Sequence, residues 1–97
     1  MIVEVQCLPV PPGTAASRWA HVETAIAVIE RSGLRYEVGP LGTSVEGSPD
    51  ELWPLMRAVH EACLTAGATS VVTIIKAVQQ AGSATVTIDD LVGKFRR

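Results

Sequence analysis

Positions 2–8, Ile-Val-Glu-Val-Gln-Cys-Leu, alternate: Val3, Val5 and Cys7 share one side, Glu4 and Gln6 the other. That period of two predicts a strand with one dry and one mixed face. Pro9 to Gly13 ends it. The pattern then changes to spacings of three and four. Trp19, Val22, Ile26 and Ile29 form a stripe, with Arg18, Glu23, Glu30 and Arg31 off it, so a helix is expected over Ala16–Ser32. Ser17 or Thr14 caps its start and Gly33 stops it. Two short alternating runs follow, Leu34–Val38 and Leu41–Glu46, broken by Gly39-Pro40; they read as an antiparallel hairpin.

Ser48-Pro49-Asp50-Glu51 is a strong helix start. The serine caps, proline suits the first helical position, and a glutamate stands three residues after the cap. Leu52, Leu55, Met56, Val59 and Cys63 make the stripe of a helix that ends at Gly67. Ser70–Val78 is β-branched and continuously apolar up to Lys76, which suits a well-covered strand. A polar connection, Gln79–Thr85, leads to a final helix over Thr87–Phe95 with Thr87 as cap. Ile88, Leu91, Val92 and Phe95 are its apolar side, which needs a surface to cover, on its own domain or on a neighbour.

The order β-α-β-β-α-β with an added C-terminal helix predicts a ferredoxin-like α+β sandwich, residues 1–97 forming one domain. The antiparallel sheet would carry both helices on one face. The other face, with Glu4, Gln6 and parts of the hairpin and last strand, would be open for self-association or a ligand.

Composition narrows the function. The chain has 97 residues, 47% of them hydrophobic, which is enough for a core. A domain this small has modest stability, and assembly is a common remedy. With 8 basic and 10 acidic residues the net charge is -2, so no dense basic face is available for nucleic acid. Basic residues gather only at Lys94, Arg96 and Arg97, as a solvated tail. No apolar run approaches a membrane span, and the N-terminus lacks a basic leader, so a cytoplasmic protein is expected. Cys7 and Cys63 are far apart and belong to no ligand cluster; free, packed thiols are expected, with no metal and no cofactor.

The hairpin adds a resemblance. Gly33-Leu34-Arg35-Tyr36-Glu37-Val38-Gly39-Pro40-Leu41-Gly42-Thr43-Ser44-Val45-Glu46-Gly47 resembles the shared segment of a family of small thiamine-binding proteins. That segment runs Gly-Leu, one position, Tyr, three positions, Pro, Met or Leu, Gly-Thr, one position, Ile or Val, Glu-Gly. Similarity extends to the proline ending the first strand (Pro9), to His60-Glu61, and to Thr73–Lys76 in the last strand. After Lys76 the family's acidic residue and arginine are replaced by Ala77-Val78-Gln79-Gln80.

The resemblance implies a ferredoxin-like homodimer or homotetramer that binds thiamine or its hydroxymethylpyrimidine part and catalyses nothing. Gln6, Tyr36, Gly42, Thr43, Ser44, Glu46 and Lys76 are the candidate ligand-binding residues. A threonine hydroxyl and backbone groups can hydrogen-bond an aminopyrimidine, a carboxylate such as Glu46 can accept from its amine, and Gln6 can both donate and accept. Tyr36 and Trp19 are most simply core, with stacking on a flat ring as the alternative. Lys76 either snorkels at a strand end or pairs with an anion of a ligand or a second subunit. His60 is expected as a satisfied helix-edge histidine.

The alternative is a structural or regulatory homo-oligomeric module with no small-molecule ligand. An enzyme ranks last: Glu4 and Glu46 could in principle do acid–base work, but no nucleophile with an orienting base is spaced for it.

Overall fold

The computed structural model describes residues 1–96; Arg97, part of the basic tail, lies outside the described residues. The elements are β1 (Ile2–Val10), α1 (Ala20–Arg31), β2 (Arg35–Val38), β3 (Thr43–Glu46), α2 (Pro49–Ala66), β4 (Ser70–Val78) and α3 (Ile88–Val92), followed by a 3₁₀ turn at Gly93–Phe95. The four strands form one antiparallel sheet in the order β2-β3-β1-β4, with α1 and α2 packed together on one face. This is the expected ferredoxin-like α+β arrangement, with a short C-terminal helix added.

Register decides which residues share a face. Val3 lies between Val45 and Ala77, with Tyr36 beyond Val45. Val5 lies between Thr43 and Ile75, and Cys7 opposite Thr73. This face meets the helices. Val3 and Val45 are fully buried there against Ile29, Leu52, Met56, Val59 and Cys63. Tyr36 packs against the edge of this core. The α2 start is a complete capping box: Ser48 Oγ accepts from the Glu51 N–H at 3.2 Å, and Glu51 Oε1 accepts from the Ser48 N–H at 2.9 Å. Those bonds hold the Glu51 carboxyl below its ordinary pKa.

The other face carries the alternate residues. Arg35, Glu46, Ile2 and Val78 form one row across the sheet; Glu37, Ser44, Glu4 and Lys76 form the next. Ile2 is nevertheless buried, because Val86, Ile88 and Val92 of the C-terminal segment fold over it. The surface sought by the last helix is therefore its own sheet. Thr87 caps that helix, accepting from the Asp90 N–H at 3.1 Å.

Several expectations are corrected. β1 extends through Pro9 to Val10, because beyond Val5 it is paired on the β4 side alone and a strand with one free edge tolerates proline. α1 begins at Ala20, not Ala16, and neither Ser17 nor Thr14 caps it. Residues 14–17 form a turn instead, with Thr14 Oγ1 accepting from the Ser17 N–H at 3.0 Å. Of the first helical N–H groups, that of Ala20 donates to the Ser17 carbonyl and those of His21 and Val22 to the Pro12 carbonyl. That crossing is tight: a Cβ on Gly13 would stand 2.3 Å from the Ser17 carbonyl oxygen, so only glycine fits.

With the helix starting late, Trp19 precedes it and is 52% exposed rather than core. His21, Ala25 and Ile29 take the buried positions, and Val22 and Ile26 flank them. The final helix is one short turn, and Leu91 and Phe95 of its apolar side remain exposed. β3 starts at Thr43, not Leu41, and β4 is largely exposed rather than covered, being the sheet edge.

Candidate functional site

A cavity of about 150 Å³ opens on the helix-facing side, where the sheet is incomplete. β3 pairs with β1 only as far as Thr43 opposite Val5. Before Thr43 the chain turns through Gly39-Pro40-Leu41-Gly42, a tip closed by the Gly39 N–H donating to the Gly42 carbonyl at 2.8 Å. From Gln6 onward the hairpin-side edge of β1 therefore has no strand partner. The gap is roofed by Val22, Ala25, Ile26 and Ile29 of α1, floored by Val5, Cys7 and Val59, and rimmed by residues 39–43. Gly42 lets the rim approach the sheet: a Cβ there would lie 3.2 Å from the Glu4 side chain and 3.3 Å from the Val5 carbonyl oxygen.

The lining is mostly apolar, with Gln6 and Thr43 as its polar side chains. Thr43 is 5% exposed, and its hydroxyl has no hydrogen-bond partner among the described residues. No buried side-chain polar atom among the described residues lacks a partner, so this unbonded hydroxyl is one the cavity leaves accessible, within reach of an occupant's polar atom. Leu41, at the rim, is 79% exposed.

The structure divides the candidate ligand-binding residues between two places. Gln6, Gly42 and Thr43 border the cavity; register directs the Gln6 side chain to the opposite face, so it meets the cavity along the free β1 edge. Tyr36 lies on the same face as Thr43 but within the core edge, outside the lining. Ser44, Glu46 and Lys76 lie on the open face. Glu46 is 3.9 Å from Arg35 and also borders a groove between the α2 start and the 79–87 connection. Lys76 pairs with Glu4 across the strands at 3.7 Å.

Arg35 is the hub of the open face. It donates to both carboxylate oxygens of Asp89 at 2.9 and 3.0 Å and lies 3.5 Å from Glu37, which Arg96 meets from its other oxygen at 3.1 Å. Hydrogen bonding and charge from Arg35 hold the Asp89 carboxyl below its ordinary range, and the Arg35 guanidinium is raised in turn.

His60 is satisfied as expected, its Nδ1 2.6 Å from Thr73 Oγ1, while Glu61 pairs with Arg57 at 2.7 Å. Among the described residues no group of three His, Cys, Asp or Glu could hold a metal, and no helix is long and apolar enough to cross a membrane. Sequence reasoning did not assign Cys7, Val22 and Ile26 to a cavity. Their apolar periodicity is that of any core, and only the late start of β3 opens a space beside them.

Comparisons with known proteins agree with this frame. The thiamine-binding protein family matches residues 3–96, and the chain belongs to that family. A UPF0045 protein of Clostridium perfringens is 37% identical over 90 residues, 92% of this chain and 93% of that protein. Among solved structures, a Bacillus cereus domain of unknown function superposes with a TM-score of 0.79 at 38% identity, covering 99% of this chain and 91% of that one. A Thermotoga maritima protein, provisionally assigned to thiamine biosynthesis or salvage, superposes with a TM-score of 0.82 at 26% identity, covering 98% and 97%.

Proposed function

We propose that this chain is a non-enzymatic binding protein for thiamine or its hydroxymethylpyrimidine part, and that the occupant lies in the cavity between α1, β1 and the hairpin tip. The Thr43 hydroxyl, unbonded and left accessible in a mostly apolar cavity, carries this reading. Family membership and the provisional assignment of the Thermotoga maritima relative supply the ligand class.

Size narrows it further. A cavity of roughly 150 Å³ is filled by one six-membered ring. The pyrimidine ring would therefore be the enclosed part, and in thiamine the second ring would lie at the Leu41 rim. Apolar walls exclude water from the ring faces while Thr43 fixes its orientation. Ser44, Glu46 and Lys76, being on the far face, would take no part in that contact.

The same chain is proposed to assemble with copies of itself, as dimer or tetramer. Leu8, Val10, Val72 and Ile74 stand exposed and adjacent on the open face, a patch of the kind that association buries. The free thiols of Cys7 and Cys63 fit a reducing, cytoplasmic setting.

The test is calorimetry and thermal shift with hydroxymethylpyrimidine, thiamine and thiamine phosphates. A ligand at ~100 times its dissociation constant adds ~2.7 kcal/mol, several degrees of melting temperature for a chain of this size. Shifts with the free pyrimidine and with thiamine, lost in Thr43→Val, support the reading. No shift with any of them overturns it in favour of an assembly module without a small ligand.

A further inference from the structure

The two cysteines are neighbours that differ in exposure. Cys63 is fully buried in α2, its Sγ 3.8 Å from the His21 carbonyl oxygen and 3.9 Å from that of Val59. Burial first, and then the charge and side-chain hydrogen bond of neighbouring Cys7, push its thiol up to about 11, so it stays protonated. Cys7 is half-buried and faces the cavity. It lies two residues beyond Val5, the cross-strand partner of Thr43, so Cys7 and Thr43 are diagonal neighbours on one face.

Behind Cys7 runs a chain of polar groups drawn from three elements. Thr73, its partner on β4, donates its hydroxyl proton to Cys7 Sγ over 3.7 Å. Threonine has one proton to give. With that proton on sulfur, the Nδ1 of His60 on α2, 2.6 Å away, is the group that donates to Thr73 Oγ1. The direction is thus His60 to Thr73 to Cys7; the neighbouring Cys63 thiol, which stays protonated, is a second donor toward the Cys7 sulfur, and the S–H of Cys7 is left to the cavity side. The side chain of Thr43, 5% exposed with its hydroxyl bonded to none of these groups and left accessible, offers a second polar contact to the same cavity independently.

We propose that Cys7 is a ligand-contacting residue of the cavity, held and polarised by Thr73 and His60, and that it presents its S–H to an acceptor nitrogen of a heteroaromatic ring lying against Thr43. Thr73 and His60 are positioning residues, acting through the sulfur. The contact rests on the reading of the cavity as the binding site; the polar chain behind it does not.

The experiment is alkylation of the full folded chain with N-ethylmaleimide, followed by peptide mass mapping, with and without 4-amino-5-hydroxymethyl-2-methylpyrimidine. Cys7 is labelled and Cys63 is not. Shielding of Cys63 in each variant reports that it is folded. Thr73→Val slows Cys7 labelling several-fold, because a donor to sulfur favours the reactive thiolate; Thr73→Ser restores the rate, and His60→Gln slows it less. The pyrimidine protects Cys7, and Cys7→Ala binds it several-fold more weakly than wild type.

Unchanged Cys7 labelling in Thr73→Val, or labelling of Cys63 ahead of Cys7, overturns the polarised chain. Equal affinity of wild type and Cys7→Ala for the pyrimidine overturns the contact while leaving the binding reading intact. A wild-type chain that neither binds the pyrimidine nor is protected by it overturns the contact and the ligand together.

Discussion

The two faces of this sheet are built from the same strands, yet they are organised by different forces. The helix-facing side is dry. Val3, Val45, Leu52, Met56 and Val59 are buried nearly completely, and the polar groups near them are hydrogen-bonded or open onto one small cavity. The opposite side is held by ion pairs around Arg35 and by a short apolar contact between Ile2 and the C-terminal segment. Exposed pairs in water contribute little, whereas each buried aliphatic side chain contributes roughly 1.5–3 kcal/mol. The first face therefore supplies most of the folding free energy and the walls of the cavity. The second holds the C-terminal segment at small energetic cost, so it can change without unfolding the chain.

The sharpest way to break this contrast is a truncation on the dry side. Leu52→Ala removes a side chain with no exposure and should destabilise the chain by ~2–5 kcal/mol, seen as a lowered denaturant midpoint with little change in slope. A loss under ~1 kcal/mol would show that the helix face is not the main source of stability.

Thr43→Val separates binding from folding at one residue. It keeps the shape and removes an unpartnered hydroxyl, so stability should hold or rise slightly. Affinity for the pyrimidine should fall by ~10–100-fold, the worth of ~1–3 kcal/mol for one buried hydrogen bond. Calorimetry beside thermal denaturation measures both, and parallel losses of stability and affinity would mean the hydroxyl is structural.

The proposed self-association through the open face predicts a wild type larger than a monomer in light scattering and a monomeric Val72→Glu with Ile74→Glu, with stability within about 1 kcal/mol of wild type, as is usual for surface positions. An undisturbed assembly would place the interface elsewhere.

The smallest effect concerns the C-terminal segment. Asp89 is held below its ordinary pKa, so its contribution is present above the ordinary carboxylate range and is lost as pH falls through the depressed value. Below about pH 4, or in Arg35→Ala, hydrogen exchange should quicken at residues 86–92 while the β1 and α2 amides stay protected. Quickening over the whole chain would tie the hub to global folding instead.

Much of the fold was legible beforehand because it rests on local rules. Alternation in β1, the capping boxes at Ser48 and Thr87, and the Leu52–Cys63 stripe each follow from backbone geometry and side-chain periodicity. The start of α1 was not legible in this way. Its cap is a carbonyl, that of Pro12, and any residue carries a carbonyl, so no side chain at 14–17 announces it. Trp19 followed that error, since one turn of helix decides whether it points inward.

The candidate site was legible only in part. The hairpin motif singled out Gly42 and Thr43 together with Ser44 and Glu46, but alternation along β3 sends these to opposite faces. Which face holds a cavity depends on where β3 stops pairing with β1.

By itself, then, the amino-acid order determined the element sequence, the antiparallel sandwich and the family, because helix and strand periodicity and capping act over a few residues. Tertiary structure alone decided that Cys7, Thr73 and His60 line up, that Arg35 meets Asp89, and that a ring-sized space remains beside Thr43. Those contacts join residues up to 66 positions apart, and such distances are closed by packing and register rather than by any local preference.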